Sequence, residues 1–207
     1  MEKIYIKQYV RIRNDYVRRD GEDIFAFSEK PGHVENLLLA LYEKLDPDYR
    51  KFFKMDTLSK AGFLAAEMLF GDCDREQPKE DTGVILFNSA SSLIADNAYY
   101  ETIRDQENYF PSPAIFVYTL PNIVTGEIAI RHKIHGETSF YVLPRFQAEN
   151  MVEIIQNSIF AAGMKQALVG WIEVSGGEAD VLMMLCVAGE NKDILLTYSH
   201  LNHLYSE

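Results

Sequence analysis

Apolar positions change their period several times along the chain, and the changes mark its elements. Over residues 3–13, Ile4, Ile6, Tyr9, Val10 and Ile12 supply the β-rich apolar positions of a strand. Ile24-Phe25-Ala26-Phe27 reads as a second short extended piece before the Pro31-Gly32 break. Leu37, Leu38, Leu41 and Leu45 then recur at helical spacing up to Asp46-Pro47-Asp48. The next helix has Asp56 as N-cap, Leu58, Ala61, Ala65, Met68 and Leu69 on its apolar face, and Gly71-Asp72 at its end. Residues 72–82 are polar, hold Pro78, and read as a surface loop. Val84-Ile85-Leu86-Phe87 is apolar at every position, the mark of a strand buried on both faces.

Asp96 to Asp105 reads as a short polar helix, and Pro111 with Pro113 excludes a helix across the loop that follows. After Pro121-Asn122, Ile123, Gly126, Ile130 and Ile134 recur at helical spacing as far as a stop at Gly136. Ser139 to Leu143 reads as a strand. Pro144 suits the first turn of the next helix, where its missing N–H needs no partner. That helix carries Met151, Ile154, Ile155, Ile159 and Phe160 and ends at Gly163. Strands at 166–174 and 180–188 are joined by the hairpin loop Ser175-Gly176-Gly177-Glu178. Residues 193–198 extend the last strand or begin a tail. The alternation predicts an α/β protein: a mixed five-stranded sheet with helices on both faces, in a single domain over 1–207. No repeat of fixed period and no low-complexity segment is visible.

The chain has 207 residues, 47% hydrophobic and 25% charged, enough to bury a core without disulfides or a metal. Its formal net charge of −11 argues against nucleic acid and anionic membranes as partners. Residues 1–19 run the other way, with Lys3, Lys7, Arg11, Arg13, Arg18 and Arg19 against Glu2 and Asp15. They read as a solvated strand face, or as a basic patch for an acidic protein. No apolar run reaches the length of a membrane span, and residues 1–7 hold no apolar leader. Cys73 sits among carboxylates, which disfavour the thiolate. Cys186 lies in the apolar run 181–187 and reads as buried and inert. A cytoplasmic location is expected.

Candidate chemistry is sparse. His132/His135 and His200/His203 are bare pairs without a third ligand, so they read as surface or capping histidines and no metal is expected. Asn88-Ser89-Ala90-Ser91-Ser92 follows a buried strand but lacks the Gly-x-Ser-x-Gly of a nucleophile elbow, and reads as structural capping. No glycine-rich phosphate loop is present, and no cofactor is expected.

Four blocks in the span 50–175 resemble the N-terminal half of β-ketoacyl synthases, the condensing enzymes of the thiolase-like fold. They are Arg50-Lys51-Phe52-Phe53-Lys54-Met55-Asp56 with its alanine-rich helix, and Thr82-Gly83-Val84-Ile85-Leu86-Phe87-Asn88-Ser89. The third and most specific is Phe110-Pro111-Ser112-Pro113 with Leu120-Pro121-Asn122 through Ile130, closed by Gly136. The fourth is Ala167-Leu168-Val169-Gly170-Trp171-Ile172-Glu173, with Trp171 replacing the second glycine of the family's Gly-Gly-x-Glu. The resemblance implies half of a thiolase-like fold.

It also directs attention to what differs. The family's nucleophilic cysteine opens the helix after the strand that follows Gly136. Here Leu143-Pro144-Arg145-Phe146 stands in that place, and no thioester can form there. The family's two catalytic histidines come from the second half of the fold, and His132 and His135 do not occupy their positions. The resemblance therefore implies no catalytic residue, with Pro144 and Arg145 in the nucleophile region and Asn122, Pro144, Arg145 and Phe146 as the candidate pocket. The family pairs the strand equivalent to 138–142 across a two-fold axis, so Thr138, Phe140 and Val142 are the expected interface of a homo- or heterodimer. The implied role is a scaffold or chain-length partner in fatty acid or polyketide-type synthesis, such as aryl polyene or flexirubin-like pigments. Its partners would be an active ketosynthase or an acyl carrier protein. The competing readings are a divergent acyltransferase or hydrolase using Arg145, and an apolar small-molecule binder. Tyr198, Leu201, Leu204 and Tyr205 would cover part of the face left open by a half-fold.

Overall fold

The apolar run near residue 84 becomes β4 (Thr82–Asn88), buried at every position. Parallel strands flank it on both sides, β5 (Thr138–Val142) and β6 (Gln166–Ser175), and its side chains are buried because both faces are covered, Val84 and Leu86 in one core and Ile85 and Phe87 in the other. The computed structural model describes residues 3–26, 34–71, 77–189 and 193–207. Cys73, Phe27 and the Pro31-Gly32 break lie outside the described residues.

Around this core, β7 (Glu178–Ala188) pairs antiparallel with β6 through the expected hairpin, and β1 (Ile4–Arg13) pairs antiparallel with β7. Gly176 and Gly177 take left-handed φ values of 59° and 83°, as a two-residue hairpin turn requires. These are the five expected strands, contiguous and mixed in direction. The sheet is nevertheless eight-stranded rather than five-stranded. The strands β2 (Tyr16–Arg19) and β3 (Glu22–Ala26) extend its edge to the order β3-β2-β1-β7-β6-β4-β5, and β8 (Ile194–Leu195) also pairs with β1. Of these, β3 overlaps the extended piece expected at 24–27 and β8 falls within 193–198, while β2, four residues long, is too short for a readable alternation.

Helices cover both faces. On one side lie α1 (Val34–Leu45), α2 (Thr57–Phe70) and α5 (Ile123–His132); on the other lie α6 (Ala148–Ala161) and α7 (Tyr198–Ser206). Asp56 caps α2 as expected, its carboxylate accepting from the Ser59 N–H at 3.1 Å. The α2 helix is apolar nearly all round, because α1 and α5 press on the side away from the sheet. The tail forms β8 and α7, and Leu201 and Leu204 are buried against the sheet while Tyr198 stays exposed.

Several boundaries differ from the sequence reading. The helix expected from Pro144 starts only at Ala148, after an extended Gln147 (φ −141°, ψ 90°). Packing decides this: Phe146 stacks on Tyr205 at 3.7 Å between ring centres and meets Trp171 edge-on at 5.7 Å. The polar helix expected at 96–105 is α3 (Leu93–Glu101). Pro113 does not exclude a helix; it occupies the first turn of the short α4 (Pro113–Phe116), with Ser112 as cap. The α5 helix ends at His132 on a left-handed Lys133 (φ 52°), four residues before Gly136. At Gly136 the chain instead passes the Thr82 carbonyl, where a Cβ would lie only 2.2 Å from its oxygen.

The basic N-terminal strand is not uniformly solvated. A bulge at Lys7 shifts the β1–β7 register between Ile6 and Gln8. Ile4 and Ile6 face the α6/α7 side before it, and Tyr9 does so after it, while Val10 and Ile12 face α2. Arg11 is fully buried as a result. It pairs with Asp180 at 2.6 Å and donates to the Val181 and Tyr205 carbonyls at 2.9 and 3.1 Å.

Candidate functional site

The carboxyl ends of β4, β5 and β6 meet at one end of the sheet, where parallel α/β sheets usually place their chemistry. The loop after β4 is tied down there by side chains. Asn88 donates to the Ser91 carbonyl at 2.8 Å and accepts from its N–H at 3.0 Å. One Glu173 oxygen, at the end of β6, accepts from the Ser89 hydroxyl at 2.5 Å and from the Ser89 and Ala90 N–H groups at 2.7 and 3.3 Å. Ser92 donates to the Thr119 carbonyl at 2.6 Å. The run is structural as expected, but it braces the loop rather than caps a helix: Ser92, at the N-cap of α3, makes no side-chain capping bond. Glu173 as its anchor was not foreseen; only the family-like strand ending in Glu pointed there.

After β5 the Leu143 N–H donates to the Asn88 carbonyl at 2.8 Å, and the chain bends through Pro144 and Arg145, both exposed. Phe146 turns inward to Trp171 and Tyr205, so the bend is closed from below by three rings. Burial and the 2.5 Å bond to Asp180 push the Tyr205 hydroxyl well above its ordinary pKa and keep it protonated. Asn122 stands apart from this bend, exposed at the N-cap of α5 without a side-chain capping bond. Asn122 therefore lies on a different element from Pro144, Arg145 and Phe146. No thiol reaches this end of the sheet among the described residues: Cys186 is buried in β7, and burial pushes its pKa far up.

Thr138, Phe140 and Val142 lie on β5, the outermost strand on this side, which among the described residues pairs only with β4. Thr138 and Val142 are exposed, Val142 by 52%. The segment 93–120 supplies a dense set of exposed apolar side chains: Leu93, Tyr100, Tyr109, Phe110, Phe116 and Leu120. Large apolar patches of this kind, where contiguous, are the usual mark of interaction surfaces. Beneath the segment opens a cavity of about 280 Å³ between Met55, Ile94, Ala98, Ala114 and Tyr118. Its walls include none of Asn122, Pro144, Arg145 or Phe146. Sequence reading missed this surface, although its apolar residues outside helical phase were the available signal.

The histidines divide. His132 is fully buried, contrary to its expected surface position, because α5 packs on α2: its ring lies 4.8 Å from Phe70 and 3.3 Å from Glu67. Glu67 is also held by Arg131 at 2.8 Å. His135 is exposed and pairs with Glu80 at 2.9 Å, and His200 meets the Leu195 carbonyl. Among the described residues no three His, Cys, Asp or Glu side chains are grouped to hold a metal ion. No single helix among them is long and apolar enough to cross a membrane.

No family model and no curated protein matches the sequence. Solved structures match the fold. The ishigamide ketosynthase/chain length factor superposes with a TM-score of 0.61 at 14% identity, over 89% of this chain and 62% of that one. A ketosynthase (ApeO) in complex with its chain length factor (ApeC) from Xenorhabdus doucetiae gives 0.59 at 11% identity, over 99% of this chain and 90% of the matched one. A type II polyketide synthase acyl-carrier protein in complex with its ketosynthase (AntDE:AntF) gives 0.56 at 11%, over 90% and 63%. The chain thus spans less than two thirds of two of these chains and nearly all of the third. It has a ketosynthase-like, thiolase-type fold.

Proposed function

We propose that this chain is a non-catalytic partner subunit of a ketosynthase, serving as scaffold or chain-length partner in fatty acid or polyketide-type synthesis. Aryl polyene or flexirubin-like lipids are the product class. One observation carries the reading: on a ketosynthase-like fold, the bend that the sequence resemblance equates with the family's nucleophile position presents Pro144 and Arg145, and the described thiol, Cys186, is sealed in the sheet. The open β5 edge and the apolar shelf at 93–120 give such a subunit a surface to bury. Thr138, Phe140 and Val142 form the centre of that contact in this reading. The matched complexes contain ketosynthases, a chain length factor and an acyl-carrier protein, which supports the same classes of partner here. The subunit works in the cytoplasm in this reading, in keeping with its buried, unpaired Cys186.

The test is mass spectrometry on the purified chain after incubation with acyl-loaded carrier protein, then native mass spectrometry with an active ketosynthase. We expect no covalent acyl adduct and a stable complex. A stable adduct on this chain would overturn the reading and reveal a nucleophile, as the acyltransferase alternative requires.

A further inference from the structure

We propose that the partner covering the shelf at 93–120 is a protein face with an apolar centre and a rim of Lys and Arg, and that a second copy of this chain is refused there. The inference rests on the partner-subunit reading only for who that partner is; the chemistry of the shelf sets the rest.

The parts of the shelf are tied into one piece. The helices α3 and α4 pack on each other, and both pack on the 3-10 turn Val117–Thr119. Ser92 donates to the Thr119 carbonyl at 2.6 Å, which sets the chain at Leu93 beside the chain at Leu120. The Phe110 N–H donates to the Thr102 carbonyl at 2.9 Å and returns Phe110 to the end of α3. The Tyr99 and Phe116 rings meet at 5.2 Å. Phe110 is 79% exposed, and Pro111 and Pro113 stiffen the backbone just after it. Apolar side chains held on a stiff backbone have less freedom to lose on binding.

The rim is acidic. Asp96, Glu101, Asp105 and Glu107 are exposed on the same segment. Arg104 is its one cation, and Glu101 pairs with it at 2.9 Å. Asp96, Asp105 and Glu107 make no ion pair among the described residues: Asp96 accepts from the Ser92 hydroxyl at 3.2 Å, and Asp105 from the Glu107 N–H at 2.9 Å. The cavity beneath adds Lys54 against Glu35 and Asp56, which leaves the sign unchanged. An apolar centre inside a charged rim is the anatomy of a protein interface, and the sign of the rim selects the partner. Shelf against shelf would oppose like carboxylates, which costs free energy. An anionic membrane meets the same repulsion.

The test uses the full chain and two probes: an amphipathic helical peptide with leucine on one face and lysine on the other, and its counterpart with glutamate for lysine. Isothermal titration reads the affinity, and hydrogen exchange reads the footprint. The leucine–lysine peptide should bind saturably and slow exchange within 93–120. Its affinity should fall by about tenfold in Asp105→Asn/Glu107→Gln, and also between about 50 and 300 mM salt. Phe110→Ser, which leaves every charge in place, should weaken it as much. The leucine–glutamate peptide should not bind. Equal binding of both peptides, a footprint outside 93–120, or an affinity that these variants leave unchanged overturns the proposal. So does a dimer of the chain alone that Phe110→Ser dissociates in sedimentation, because it gives the shelf to a second copy. Neutral-lipid vesicles that slow exchange within 93–120 would give it to a membrane and overturn the proposal as well. A ketosynthase complex with 93–120 left unprotected removes this inference and keeps the partnership. Peptide binding as expected, with no ketosynthase complex, does the reverse.

Discussion

Arg11→Met is the substitution whose outcome most sharply tests how the N-terminal strand and the last helix are joined. The Arg11 side chain is fully buried, bonds Asp180 at 2.6 Å, and donates to the carbonyls of Val181 and Tyr205. Removing one partner of a wholly buried, hydrogen-bonded ion pair costs about 3–5 kcal/mol. Here Asp180 is 32% exposed, and Arg13 stands 3.6 Å away to take over part of its charge. Water and Arg13 therefore recover part of the loss, while methionine keeps the apolar stem contacts, leaving a net cost of about 2–3 kcal/mol. With a urea slope of about 2 kcal/mol per molar, the unfolding midpoint falls by roughly 1 M. Hydrogen exchange should also quicken at Leu201–Tyr205, because α7 loses the Arg11 bond to its Tyr205 carbonyl and keeps the longer one from Arg13, at 3.3 Å. Arg13→Met serves as the control and should cost under about 1 kcal/mol, since Arg13 is 39% exposed. An Arg11→Met variant within 0.5 kcal/mol of the parent, or no worse than Arg13→Met, would refute the argument.

Three further outcomes are expected. Gly170→Ala should lose about 3 kcal/mol in a thermal or urea melt, because its Cβ would sit 2.5 Å from the Leu182 carbonyl oxygen of the neighbouring strand; a loss below about 1 kcal/mol would contradict this. Stability should be full below about pH 9 and fall as pH rises toward 12, because burial and Glu207 push the Tyr9 hydroxyl up to about 12, burial and Glu127 do the same for Tyr118, and burial pushes Tyr205 and the Cys186 thiol up as well. Tyr9→Phe with Tyr118→Phe should make that alkaline limb shallower, leaving the part set by Tyr205 and Cys186, and an unchanged limb in pH-dependent urea melts would count against it. Val142→Lys should weaken association with a ketosynthase partner without unfolding the chain, because it places a charge on the open β5 edge. Undiminished complex formation in native mass spectrometry would remove β5 from the interface.

Elements with one strong local signal were legible in the sequence. Asp56 capping α2, the doubled glycine between β6 and β7, and the unbroken apolar run of β4 need only their immediate neighbours. What escaped depends on distant residues. The burial of Arg11 follows from a one-residue bulge and from Asp180, and neither leaves a trace near residue 11. The late start of α6 is set by Tyr205 stacking on Phe146, almost sixty residues away. That Pro144-Arg145-Phe146 holds no cysteine was visible at once, because it is a matter of residue identity.

The pairing of β1 with β7 sets a schedule for the growing chain. Arg11 lies 170 residues before the Val181 carbonyl that it bonds. At about 5–20 residues per second, the ribosome leaves that edge of β1 unpaired for roughly ten to thirty seconds. The adjacent β2 can fold back on the other edge at once, but the β7-facing edge must wait. A nascent strand rich in Ile, Tyr and Val is a template for aggregation during this interval. Lys7, Arg11 and Arg13 interrupt it with charge, as gatekeeper residues do. Arg11 thus has an earlier duty than its ion pair: it keeps its own strand soluble until the partner that will bury it has been made.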